Sequence, residues 1–185
     1  MKQLLKIGAI TGLIGGSLFI LFFLILFWTV EDPLGDPKSG EFFVVLVVFV
    51  GLYFLYRYQL TFRQGFLMGN VATLVIVVMS VLFMYLFLGN KSNQVLDKHI
   101  KKRISMVENS PNNKKRIEIA NKKGEDGKKK LEELIATLKS RSRSYWLNHT
   151  IKREVMSKTA LGVIISLLLS VVLRKYRPKE PAPTK

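Results

Sequence analysis

The sequence predicts an all-α integral membrane protein, a four-helix bundle with a basic helical hairpin between its third and fourth spans. Three observations carry that prediction. The 185 residues are 49% hydrophobic yet hold a formal net charge of +16, a pairing that soluble one-core chains rarely show. The charge and the apolar bulk occupy different stretches of the chain. Several apolar stretches are charge-free and long enough to cross a hydrocarbon layer of ~30 Å. So many Leu, Ile, Val and Phe residues also exclude an intrinsically disordered chain.

Residues 1–90 hold the first three spans. The first, about 7–30, is 24 residues without a charge, about 36 Å as a helix. Lys2 and Lys6 precede it, as in a secretory signal peptide, but its apolar run exceeds the ~7–15 residues of such a peptide. Trp28-Thr29-Val30-Glu31-Asp32 also offers no small-x-small cleavage site, so the segment reads as a retained anchor. The second span, about 42–62, has a core of 15 uncharged residues from Phe42 to Tyr56. Snorkelling by Arg57 and the interfacial Tyr53, Tyr56 and Tyr58 extend it. Its β-branched run 44–50 would suit a strand, but an open strand would leave backbone groups unpaired in lipid. The third span, about 66–88, has 23 residues and no charge. The fourth, 159–176, has a core of 14 uncharged residues from Ala160 to Leu173 and gains length if Lys158, Arg174 and Lys175 snorkel at its ends. A Pro-rich polar tail, 177–185, follows.

Residues 91–158 form a basic extramembrane loop with nineteen Lys and Arg against eight Asp and Glu. Val95, Leu96, Ile100, Ile104 and Val107 recur at helical spacing, and Asn109-Ser110-Pro111-Asn112-Asn113 stops that helix. Asn121 to Gly127 breaks the chain again. Leu131, Leu134, Ile135 and Leu138 make a second apolar stripe. A pair of amphipathic helices is expected, the second continuing toward the fourth span, with Tyr145-Trp146-Leu147 at the membrane surface. Among the short connections, the N-terminus has two basic residues, the 57–65 turn two and the tail five, against one in the 31–41 loop. The N- and C-termini are therefore expected in the cytoplasm. The 91–158 loop is expected outside, being longer than the ~60 residues over which positive charge blocks translocation.

Small residues at four-residue spacing mark the expected helix-packing faces: Gly8, Gly12 and Gly16; Gly65 and Gly69; Gly162, Ser166 and Ser170. Such stripes let helix backbones approach in lipid. Asn70 is expected to hydrogen-bond between helices. No charged residue lies in the middle of any predicted span, which disfavours ion-coupled transport. With no cysteine and only two histidines, His99 and His149, disulfides, thiolate chemistry and histidine-rich metal sites are excluded. Ser140, Ser142 and Ser144 have no His–acid pair beside them, so a serine triad has no support. Asn148-His149-Thr150 matches a glycosylation sequon and reads as chance. No catalytic residue and no cofactor is expected, and the chain reads as a non-enzyme. Lys101, Lys102, Arg103, Lys114, Lys115, Arg116, Lys128, Lys129, Lys130 and Trp146 are candidate contacts for anionic lipid headgroups or a membrane protein partner. A solvated hairpin without a partner is the plain alternative. Nucleic acid is disfavoured, since the loop is tethered to a membrane and offers only Tyr145 and Trp146 for stacking.

Tyr56-Arg57, then Thr61-Phe62-Arg63-Gln64-Gly65-Phe66 and Gly69, resembles the short motif between spans two and three of a Bacteroidetes membrane family, domain of unknown function 4199. Leu161-Gly162-Val163-Ile164-Ile165-Ser166-Leu167, ending in Arg174-Lys175, is similar to that family's last span. The resemblance implies a four-pass bacterial inner-membrane protein and carries no activity with it. Two function classes remain: a non-enzymatic membrane module that presents the basic hairpin to lipid or a partner, and a small transporter or channel subunit working as a homo-oligomer.

Overall fold

Residues 2–29, charge-free from Ile7 onward, satisfy their backbone hydrogen bonds within one helix, as a stretch able to cross lipid must; this is α1 (Lys2–Thr29). A second helix, α2 (Phe62–Gly89), starts at a capping box. The Thr61 hydroxyl accepts from the Gln64 backbone N–H at 3.4 Å, and the Gln64 side chain accepts from the Thr61 N–H at 2.9 Å. Two donors that would otherwise be orphaned are thereby satisfied. The Thr61-Phe62-Arg63-Gln64 motif thus has a local structural purpose, and α2 begins four residues before the predicted start at 66. The computed structural model describes residues 2–30, 32–35, 61–90, 92–122, 124 and 126–175. Most of the predicted second span and the 177–185 tail lie outside the described residues.

Three shorter helices follow: α3 (Val95–Glu108), α4 (Asn113–Lys122) and α5 (Gly127–Ser140). The sequence suggested two amphipathic helices here; α4 is the addition. Its apolar periodicity is too weak to announce it. It is set by its ends, where the Asn113 amide donates to the carbonyls of Val107 and Glu108 at 2.6 and 3.0 Å. Asp126 caps α5 by accepting from the N–H groups of Lys128 and Lys129. A Cβ on Gly127 would come within 2.7 Å of Ile117 Cα, so α4 and α5 close tightly at this glycine. The last helix, α6 (Arg143–Lys175), is unbroken through the expected loop boundary at 158. Among the described residues no strand occurs.

Glycine spacing sets the packing of the long helices. Gly8 lies against Met68 and Val71, Gly12 against Ala72 and Val75, and Gly16 against Met79. The numbers rise together, so α1 and α2 run parallel. A Cβ on Gly12 would sit 2.6 Å from Val75 Cβ and 2.7 Å from the Ala72 carbonyl oxygen. On another side of α2, Gly69 faces Ser166 and Thr73 faces Gly162, an antiparallel register. Thus α2 is the central helix, with α1 and α6 packed on it. Parallel α1 and α2 also put Gly35 and Thr61 at opposite ends of the pair.

At the C-terminal ends of α1 and α2, Phe23 meets Phe83 and Phe87 edge-on at 5.5 and 5.7 Å. Leu34, Val95, Leu96, Trp146 and Leu147 extend this core onto α3 and α6. The outer faces are apolar too: Leu21, Leu86 (73% exposed) and Leu168 all point away from the protein interior. In water so much exposed apolar surface would drive aggregation, whereas in lipid it matches the solvent.

Candidate functional site

The polar residues of the described chain gather where α3 and α6 meet the end of α1. Asp32 follows α1 and is buried; His99 lies on the inner face of α3 and is buried as well. His99 Nδ1 sits 3.1 and 3.2 Å from the two Asp32 oxygens, so the carboxylate assigns the ring proton to Nδ1. Burial lowers the His99 pKa below its ordinary value, outweighing the hydrogen bond and negative charge of Asp32; Arg153 and Arg103 lower it further. Lys102 Nζ approaches Asp32 at 3.9 Å from a half-exposed position. One turn below, Arg153 donates to the Leu34 carbonyl at 3.0 Å.

A second guanidinium closes the end of α2. Arg143 donates to the carbonyls of Leu88 at 2.9 Å, and of Gly89 and Asn90 at 3.4 Å, while its Nε lies 3.2 Å from Asp97. Asn93 adds a bond to the Phe87 carbonyl at 3.1 Å. These are the last-turn carbonyls that a helix leaves unsatisfied. One residue of α6 therefore caps α2 and holds the start of α3.

The third feature lies deeper. Lys158 is 4% exposed; its ammonium is 3.2 Å from Glu154 and 3.3 Å from the centroid of the Phe19 ring. Phe19 is near the midpoint of the charge-free run 7–30. An ion pair one turn long, Glu154–Lys158, is thus carried alongside the middle of α1. The sequence put these charges outside every span, because hydropathy reads a helix alone and cannot see how far it slides along its neighbour. Thr11 Oγ1 and Ser80 Oγ are also buried, with no hydrogen-bond partner among the described residues.

Of the residues singled out by sequence, Gly8, Gly12 and Gly16 are brought onto α2, and Gly69, Gly162 and Ser166 are brought together between α2 and α6. Gly65 and Ser170 are buried. Asn70 does otherwise than expected. Its amide donates to the Phe66 carbonyl of its own helix at 2.7 Å, one turn back, rather than bridging helices. Trp146 keeps its place at a span end but turns inward. At 7% exposure it packs in the core with Leu88 and Leu96, while its neighbour Tyr145 remains exposed under the Arg141 guanidinium at 4.1 Å. Lys101, Lys102, Lys114, Lys115, Lys128, Lys129 and Lys130 lie on the exposed faces of α3, α4 and α5, Arg103 is half-buried, and Arg116 belongs to α4. Asp32, His99, Arg143, Arg153 and Glu154 were missed. The signals available were a lone histidine on the apolar face of α3 and an acid directly after a span.

Among the described residues no cluster of three His, Asp or Glu could hold a metal ion. The architecture defines an all-helical protein in which α1 and α2 are long and apolar enough to cross a membrane. The family model described as "Protein of unknown function (DUF4199)" matches residues 6–175. The chain belongs to that family. No match is found among curated proteins or among solved structures.

Proposed function

We propose that this chain is a non-enzymatic, four-pass module of a bacterial inner membrane that holds its basic hairpin against anionic lipid headgroups. The observation carrying the reading is the attachment of the hairpin to the span ends. His99 on Asp32, Arg143 on the Leu88 carbonyl and Arg153 on the Leu34 carbonyl fix α3 and α6 there. A hairpin so fixed holds the exposed lysines of α3, α4 and α5 on the side where α1 and α2 end, where basic side chains are drawn to anionic headgroups over a Debye length of ~8 Å. The parallel run of α1 and α2 supports a second span between them. With the first loop and the hairpin in contact, both fall on one side, the periplasm by the positive-inside count.

The test uses the full chain in nanodiscs. With phosphatidylglycerol present, amides of residues 98–130 should exchange more slowly than in phosphatidylcholine discs, and added salt should remove the difference. Equal exchange in both lipids defeats the reading. A second reading, a small transporter or channel subunit acting as a homo-oligomer, is favoured by Glu154–Lys158 beside the middle of α1, since charge at that depth is costly and often functional. A single-chain species in mild detergent would count against it.

A further inference from the structure

We infer that the hairpin contains a discrete pocket for the phosphate of an anionic lipid headgroup, a specific site within the electrostatic surface proposed above, and resting on that reading. The pocket has a volume of about 370 Å³ and lies between α3, the turn after it, the end of α5 and the first turns of α6. Arg103 and Arg141 both line it, with Ser110, Tyr145, Trp146 and His149. No Asp or Glu does. Among the described residues neither guanidinium has a carboxylate partner. The nearby acids are engaged elsewhere: Glu108 takes Lys139 at 2.7 Å and Asp97 takes Arg143.

Two like charges sharing one concavity without a counter-ion repel each other, and an anion relieves that repulsion. Guanidinium forks suit phosphate oxygens in geometry as well as charge. The Trp146 indole supplies an independent observation: its N–H is buried and has no acceptor among the described residues, a state that costs free energy until an acceptor arrives. Position argues for a lipid as the source. Trp146 packs with Leu88, the last residue of the charge-free run 66–88, so the pocket stands at the level of the headgroups. Val107 and Leu138 give it an apolar wall, suited to the glycerol and first methylenes.

The experiment is native mass spectrometry of the full chain in mild detergent, with phosphatidylglycerol and phosphatidylcholine of matched acyl chains as probes. One phosphatidylglycerol per chain should be retained in preference to phosphatidylcholine. R103Q/R141Q should retain it about tenfold less, whereas K114Q/K115Q, which removes the same charge from the exposed surface of α4, should lower retention by a smaller factor. Equal loss in both variants overturns the pocket and leaves the general electrostatic reading standing. No preference for phosphatidylglycerol in the parent overturns both. If the double arginine variant fails to fold, W146F reads the same pocket by removing the indole N–H; reduced retention supports the site and unchanged retention overturns it. Glycerol phosphate alone should not bind at comparable concentration. If it binds as tightly, the occupant is a soluble phosphate ester and the lipid assignment is overturned.

Discussion

His99 and Asp32 are 67 positions apart in the chain, yet the imidazole Nδ1 lies within 3.2 Å of both carboxylate oxygens. The bond joins the segment after α1 to the inner face of α3, and it makes the attachment sensitive to pH. The pKa of His99 is lowered in the folded protein, chiefly by burial, so folding favours the neutral ring. Stability is therefore complete above the unfolded value of ~6.5 and is lost as pH falls through the lowered folded value. Asp32, Lys102, Arg103 and Arg153 are the charged groups around the ring. The Tm of the detergent-solubilised protein should decline between pH 7.5 and pH 5, and His99→Gln should flatten that decline. A variant with the parent's pH profile would remove His99 from the account.

The α1–α2 contact should be intolerant of bulk. Gly12→Leu is expected to cost about 1–3 kcal/mol, because even a Cβ meets Val75 and Ala72 too closely. Leu21→Ile, on the exposed face, should leave the Tm within a degree or two. Equal thermal stability of the two variants would dismiss the packing face.

Arg143 should not be replaceable by lysine. A single ammonium cannot reach the carbonyls of Leu88, Gly89 and Asn90 together with Asp97, as the fork does. Arg143→Lys is expected to lose about 1–2 kcal/mol and to speed amide exchange over residues 92–97 selectively. Uniform exchange across the chain would indicate a global effect instead.

Glu154 and Lys158 should depend on each other. Glu154 compensates part of the buried Lys158 charge, so losing the carboxylate alone leaves the ammonium less well paired, and removing the ammonium as well lifts that cost. The double variant E154L/K158M should thus unfold at a higher temperature than E154L alone. If the double variant is the less stable, the pair acts through something other than mutual compensation.

The Asp32–His99 contact puts the start of the first loop and the hairpin on one side, and the proposed four-pass reading makes that side the periplasm. Cysteines introduced at Ser39 and Asn112 should both react in intact cells with a reagent that cannot cross the inner membrane, and one at Pro181 should not. Labelling at Ser39 with silence at Asn112 would contradict the contact and the four-pass reading together.

The parts of this fold that were legible in the sequence are those written at short range. The four-residue spacing of Gly8, Gly12 and Gly16 is a property of one helix face, and it leads directly to the α1–α2 contact. Long charge-free runs likewise announce α1 and α2 by composition. Asp32 and His99 carry no such mark, because nothing local says that two residues so distant will meet. For Trp146 the span-end position was legible but not its burial, because an aromatic near a span end suits the headgroup boundary and the core equally; it shares a cluster with Leu88 and Leu96. For Asn70, the Phe66 carbonyl one turn back was always within reach, and proximity favoured it over a neighbouring helix.

The bonds that secure one end of the bundle also impose an order on its assembly. Asp32 leaves the ribosome 67 residues ahead of His99, and Leu34 leaves 119 residues ahead of Arg153. At ~5–20 residues per second, the second delay is roughly 6–24 s. Through the first 67 residues of it Asp32 is without His99, and until Arg143 emerges the last turn of α2 awaits its guanidinium. A product cut short before Arg143 would keep α1, α2 and the Asp32–His99 bond but lose the Arg143 and Arg153 bonds, so incomplete copies are distinguished from finished ones by the uncapped carbonyls of Leu88 and Leu34.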